Sequence, residues 1–266
     1  MSRIAIIEPK TLLGEAVRDG LAESSSTADE IELFTLDSEA VGAVSEVAGR
    51  AAIVQALDDD SLDTFDTALF CDQEIDLDTV RKVPDSCRSI LIDPYLSIDD
   101  AVPLVAGVNS SDFADAARVV SPPPAVLLLA HLLFPLRQLG SLEIVAHVLQ
   151  PASARGQAGL DELFSQTRAI LSMSDERPEE LFGTQMAFNL LPWSVSTATL
   201  GRQLEAIVGN AVQAQILLSQ AGVFHCCTAA VFLRPAAETE LTRIQDLLRD
   251  QPLIEVVETP ELLGPV

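Results

Sequence analysis

Apolar residues along the chain recur at two different spacings. Ile4–Ile7 is a short buried-strand run, and Leu12, Leu13, Ala16, Val17 and Leu21 follow at helical spacing, which predicts strand, turn and helix. Glu32–Leu36, Asp66–Cys71 and Arg88–Asp93 read as further strands separated by helical or polar segments. Alternation of this kind predicts a βαβ sheet of Rossmann-like form. The run Ser121-Pro122-Pro123-Pro124 interrupts the pattern, because consecutive prolines fit neither a helix interior nor a central strand. Placing the boundary there divides the chain into residues 1–120 and 121–266. In the second part Ala125–Leu139 is helical in composition, Leu142–Leu149 reads as a strand and Gly159–Leu171 as a helix. A helix over Leu204–Leu217, a strand over Gly222–Leu233, an amphipathic helix over Glu238–Arg249 and a short strand at Ile254–Val257 complete the prediction. The fold class is α/β, with an α+β second domain.

Charge narrows the range of partners. The 266 residues carry 40 acidic and 16 basic side chains, for a net charge of −24. That balance opposes binding to nucleic acid or to an anionic membrane surface. Hydrophobic residues still make up 48 % of the chain, enough for a sizeable core. Lysine occurs only at Lys10 and Lys82, so no lysine chemistry is available in the second part. Cys71, Cys87, Cys226 and Cys227 lack metal-site or disulfide-framework spacing, and the apolar run Ala125–Phe134 is too short to span a bilayer. A soluble cytoplasmic protein is the expectation, with no metal.

The turn after the first predicted strand, Glu8-Pro9-Lys10-Thr11-Leu12-Leu13-Gly14, is where a dinucleotide pyrophosphate usually meets a helix N-terminus. Only Gly14 retains the glycine pattern, and its expected role is helix–sheet packing. Glu8 brings a negative charge towards the expected phosphates and Pro9 lacks a donor. The turn therefore reads as a Rossmann-like unit that binds no nucleotide, and no cofactor is expected.

Several segments in fixed order carry a resemblance to a known family. They are Val102–Asn109, Pro135-Leu136, Gln150–Leu163, Gln166-Thr167-Arg168 and Gln185–Pro192. These resemble the PLVVPEVN, KPL, QAVSGAGKAGMDEL, QTR and QIAFNVIP segments of the aspartate-semialdehyde dehydrogenase family, in particular its Usg-type paralogues. The resemblance implies a Rossmann-like domain followed by a mixed-sheet dimerisation domain. It also implies NADP- and phosphate-dependent chemistry through a cysteine thioester, assisted by a histidine and a glutamine.

At the positions that matter, this chain departs from that pattern. The family's NPNCST loop aligns with residues 121–126, which puts Pro124 at the nucleophile position. Gln150 matches the family glutamine, but the glycine loop after it becomes Ser153-Ala154-Arg155-Gly156. The histidine segment aligns with Gly222–Val231, placing Cys227 at the histidine position and His225 two residues earlier; a register shift of two would restore the histidine. The substrate lysine has no counterpart, the phosphate arginine has none in Pro94–Asp100, and the sequence stops at Val266, where family members usually continue with a further helix. The implied protein is catalytically inactive. It would be a homodimer through residues 121–266 that serves as a binding or scaffold protein for an unidentified partner. Two other readings stand beside it: an acyl or aldehyde enzyme using Cys227 or Cys226, and a small-molecule sensor using the cleft at Gln150. Cys226-Cys227 is expected as a buried pair in a strand, one on each face, and His131 and His147 as structural residues. Asp58-Asp59-Asp60 is expected as a solvated turn, and Asp161-Glu162 as acids favouring a helix start.

Overall fold

Strand β1 (Ser2–Ile7) buries Ala5, Ile6 and Ile7 completely, as expected where both faces of a central parallel strand are covered. The computed structural model describes residues 2–23, 28–47, 49–72, 75–92, 101–110, 116–174, 177–193 and 197–257. Helix α1 (Leu12–Glu23) follows β1, and β2 (Ala28–Thr35) returns parallel to it. A hairpin that the periodicity does not predict, β3 (Val44–Val47) and β4 (Arg50–Ala56), extends this edge. Strand β5 (Thr67–Phe70), helix α2 (Leu77–Arg81) and strands β6 (Arg88–Ile92), β7 (Val102–Pro103) and β8 (Arg118–Ser121) complete the first half. Among the described residues the sheet runs β3-β4-β2-β1-β5-β6-β8-β7 and is parallel except for the β3–β4 pair. This is the Rossmann-like arrangement expected from the sequence.

The proline run forms the junction. Strand β8 ends at Ser121, and Pro124 is the first residue of helix α3 (Pro124–Leu136), where a missing N–H costs nothing. The second sheet comprises β9 (Leu142–Gln150), β10 (Leu190–Pro192), β11 (Val212–Ala221) and β12 (Thr228–Pro235), in the order β10-β11-β9-β12. The β9–β11 pair is parallel and the other two are antiparallel, giving the expected mixed sheet. Helices α4 (Gly156–Leu171), α5 (Thr197–Val208) and α6 (Leu241–Arg249) complete it. Helix α3 packs on α5 and α6, and its Ala125, Val126, Leu129, Ala130 and Leu133 are fully buried.

Three sequence expectations need correction. The helix over Leu204–Leu217 is the end of α5 and most of β11, separated by Gly209 at φ 88°. Gln213 and Gln215 are exposed while Val212, Ile216 and Leu218 are buried, a period of two that the apolar content obscures. The strand over Gly222–Leu233 begins only at Thr228; residues 222–227 form an irregular connection with Cys226 at φ 75°. No strand forms at Ile254–Val257.

Helix α4 begins at Gly156 rather than Gly159, and its buried face is not the one that helical spacing predicts from Leu160, Leu163, Phe164, Thr167, Ile170 and Leu171. Phe164 and Leu171 are exposed, whereas Glu162 and Gln166 are buried with Gly159, Leu163 and Ala169. Asp161-Glu162 is therefore no helix start. The Glu162 carboxylate accepts the backbone N–H groups of Leu181 (2.7 Å) and Phe182 (3.1 Å). Gln166 Oε1 accepts those of Met186 (2.6 Å) and Ala187 (3.0 Å), and its Nε2 donates to the Pro178 carbonyl (2.7 Å). Two adjacent polar side chains thus satisfy the backbone of the segment between α4 and β10. Removing the carboxylate strands buried donors, so Glu162→Ala is expected to lower the unfolding free energy by about 3 kcal/mol. Denaturant titration measures this, and a loss below about 1 kcal/mol would show that the segment is held by other contacts.

Candidate functional site

The turn after β1 is closed by its own side chains. Glu8 sits at φ 59°, the left-handed conformation that a glycine adopts without cost. Its carboxylate does not point at the expected phosphates, which corrects the sequence reading. It lies over the end of β2, accepting the Leu36 N–H at 2.6 Å and the Thr35 hydroxyl at 3.0 and 3.1 Å. In a Rossmann unit that end of β2 faces the adenosine ribose. Thr11 precedes α1 as its cap: its Oγ1 accepts the Gly14 N–H at 3.0 Å and donates to the Cys71 carbonyl at 2.6 Å. The Gly14 N–H, one of the donors a phosphate would meet at this helix start, is therefore already bound within the chain. Gly14 lets α1 pass close to the backbone that leaves β1, since a Cβ there would overlap the Glu8 carbonyl and lie 2.7 Å from Pro9. Arg18 secures the turn further, donating to the Pro9 carbonyl at 3.0 Å.

Opposite this turn, the C-terminal ends of β9 and β11 lie side by side in register, Gln150 beside Gln220. Both glutamines are buried. Gln220 Nε2 donates to the Gln150 carbonyl at 3.0 Å, and the Cys227 thiol lies 3.9 Å from Gln150 Oε1. The backbone of Ala152 and Ser153 is tied to the irregular connection through the carbonyls of Val223 (2.8 Å) and Phe224 (3.0 Å). Gly222 allows this connection to pass closely, since a Cβ there would lie 2.6 Å from the Met186 carbonyl. The guanidinium of Arg155 stacks over Trp193 at 4.5 Å from the ring centroid.

Between the two halves lies a cleft of about 920 Å³. The turn contributes Lys10 and Thr11 to its lining, α3 contributes Pro124, and Gln150, Ser153 and Arg155 come from the end of β9 and the following turn. His225, Cys226 and Cys227 line the same cleft. The structure thus brings Pro124, Gln150, Cys227 and Thr11 together, as their positions in the sequence suggest, while the Glu8 carboxylate points elsewhere. It corrects the cysteine pair: Cys226 is exposed and Cys227 half-buried, because residues 222–227 are not a strand. Cys71 also lines the cleft but is fully buried; burial, then the Asp72 and Glu8 charges, pushes its thiol up to about 12. Burial and Asp66 push Cys87 up to about 11.

The remaining candidates lie elsewhere. His131 is within α3, and His147 lies on the open face of the second sheet, 2.9 Å from the Ser219 hydroxyl. The acids at 58–60 occupy a turn, where Asp59 pairs with Lys82 at 3.1 Å. Pro94–Asp100 lies outside the described residues. Among the described residues no group of three His, Cys, Asp or Glu side chains could hold a metal ion, and no helix is long and apolar enough to cross a membrane. Gln220 was not legible as a site neighbour, because its segment adjoins the one read as a helix. Period-two reading of Val212–Ala221 puts Gln220 on the buried face of a strand, and the register with β9 sets it beside Gln150.

Comparison with known proteins adds a family frame. Residues 133–266 match the model of the semialdehyde dehydrogenase dimerisation domain. An aspartate-semialdehyde dehydrogenase from Rickettsia conorii is 25 % identical over 277 residues, covering 98 % of this chain and 81 % of the relative. That of Rickettsia bellii is 22 % identical over 276 residues, covering 97 % and 81 %. Among solved structures, a probable aspartate-semialdehyde dehydrogenase from Pseudomonas aeruginosa superposes with a TM-score of 0.85 at 22 % identity, over 94 % of this chain and 79 % of that one. Aspartate semialdehyde dehydrogenase II from Vibrio cholerae, complexed with ASA, gives 0.83 at 19 % identity, over 96 % and 80 %. The structural matches establish the fold.

The differing environments of the four thiols set their order of reaction. Iodoacetamide at pH 8 is expected to alkylate Cys226 first and Cys227 more slowly, leaving Cys71 and Cys87 intact until the chain unfolds. Peptide mass spectrometry over a time course reads this order. Early modification of Cys71 would contradict the packing around the turn.

Proposed function

The chain belongs to the semialdehyde dehydrogenase family, with the family's dimerisation domain over residues 133–266, and from that premise we propose that it is a catalytically inactive, dimeric binding member. Its cleft holds a small molecule without hydride transfer, and the dimer acts as the scaffold that presents this cleft. The observation that carries the reading is the Thr11 hydroxyl, which holds the Gly14 N–H while the cleft beside it stays open. The residues present do not fit a dinucleotide. Pro9 lacks a donor, Thr11 occupies the helix end, and the Glu8 carboxylate covers the end of β2. Proline at position 124 offers no nucleophile. Cysteines at positions 71, 87, 226 and 227, without the spacing of a disulfide framework, support the expected cytoplasmic location.

A second reading has one observation in its favour: Cys227 borders the cleft beside Gln150, where a relocated thiol could serve an acyl or aldehyde reaction. A single assay weighs both. Incubation with aspartate semialdehyde, NADP and phosphate is expected to yield no NADPH, and calorimetry no NADP binding at millimolar concentration. Phosphate-dependent turnover would overturn the inactive reading and, if lost in Cys227→Ser, establish the second.

The dimer has its own surface. On the face of the second sheet away from α3, Phe232 stands opposite Val145, with Leu217 one strand further on. These side chains are 74, 51 and 58 % exposed, an apolar patch of the kind that two copies bury across a two-fold axis. Light scattering at micromolar concentration is expected to give twice the 28.4 kDa chain mass, and Phe232→Glu to shift it towards one. A monomeric wild-type chain would sink the proposal.

A further inference from the structure

The Gln150–Gln220 pair carries more information than its position. Each amide has one end fixed by a neighbour. Gln220 Nε2 donates to the Gln150 carbonyl at 3.0 Å, so Oε1 is its remaining atom. Gln150 Oε1 faces the Cys227 thiol at 3.9 Å, so Nε2 is its remaining atom. Both remaining atoms are buried and meet no hydrogen-bond partner within the chain. Their residues are 0 and 4 % exposed, on adjacent parallel strands in register, and Gln150 lines the cleft. Buried polar atoms without partners are rare, because each has given up water without return. Here the residues that carry this donor and this acceptor are register partners on neighbouring strands, at the C-terminal strand ends where α/β proteins place their ligands.

The chemistry that completes such a pair must combine a donor and an acceptor. A carboxylate would satisfy Gln150 Nε2 but would set its lone pairs against those of Gln220 Oε1. An ammonium group would satisfy Gln220 and oppose the Gln150 amide hydrogens. A neutral group that both donates and accepts meets both; a hydroxyl does so through one oxygen, whereas a primary carboxamide places its acceptor and its donor on separate atoms, one for each strand. The net charge of −24 works in the same direction, favouring an uncharged group over an anion.

Resting on the reading of the cleft as a ligand site, we propose that it binds a small molecule through a primary carboxamide. The carboxamide oxygen accepts from Gln150 Nε2 and its NH2 donates to Gln220 Oε1. The two glutamines thereby select the amide over the carboxylate of the same shape.

Matched pairs test this on the full chain at pH 7. Isothermal titration is run with asparagine against aspartate, glutamine against glutamate, and nicotinamide against nicotinate, each pair differing in amide versus acid. At least one amide is expected to bind about tenfold or more tighter than its acid, because a mismatched buried polar group is strongly rejected. Gln150→Leu and Gln220→Leu should each abolish that preference, with unchanged melting showing that the fold is intact. If either variant fails to fold, the amide-to-acid ratio of the wild type decides alone. Equal or tighter binding of the acids, or no binding of any amide at millimolar concentration, overturns the inference. NADPH formation in the semialdehyde assay would instead remove the inactive reading, so the two failures are distinguishable.

Discussion

Burial of α3 is the constraint on which the rest of the molecule depends. Thirteen residues with no charged side chain run from the last strand of one sheet to the first strand of the other, enclosed by α5, α6 and the second sheet. A helix apolar on nearly every side is stable only when surrounded, and at roughly 25 cal/mol per Å² its removal from water is a leading favourable contribution to folding. Because α3 cannot leave that enclosure, Pro124 at its start is held at the edge of the cleft. The same enclosure sets the second sheet against the turn after β1.

Two ways of treating polar groups then divide the cleft. On the side of β1 two donors are satisfied internally: Thr11 takes the Gly14 N–H, and the Glu8 carboxylate takes the Leu36 N–H. A site that completes its own hydrogen bonds has little to offer a phosphate. On the side of β9 and β11, by contrast, Gln150 and Gln220 each keep one buried atom without a partner within the chain. The proposed ligand function follows from this asymmetry rather than from the size of the cleft. Glu162 and Gln166 illustrate the opposite case within the same domain, where buried polar side chains are filled by backbone and serve stability alone.

Much of the first sheet is legible in the sequence, because parallel strands such as Ile4–Ile7 are short unbroken apolar runs and the proline run marks a junction. The second sheet is less so. Val212–Ala221 mixes apolar residues and glutamines in a way that fits a helix as well as a strand, and Gly209 at φ 88° is what ends α5. Residues 222–227 look like a strand by composition, yet Gly222 passes so close to Met186 that the chain turns aside there. With that turn, Cys226 moves to the surface and Cys227 to the cleft.

The sequence by itself determined the alternation of strands and helices, the resemblance to a family and the identity of the side chains at its key positions, since these depend on local periodicity and residue type. It also determined that Pro124 offers no nucleophile and that lysine is absent beyond residue 82. Only the tertiary structure decided where the side chains point. The Glu8 carboxylate turned to β2, Thr11 closed its own helix end, and Gln220 came to lie beside Gln150, 70 residues away along the chain. The reason is physical: which hydrogen bonds are filled within the chain and which remain for a ligand depends on strand register and burial, and neither is a local property.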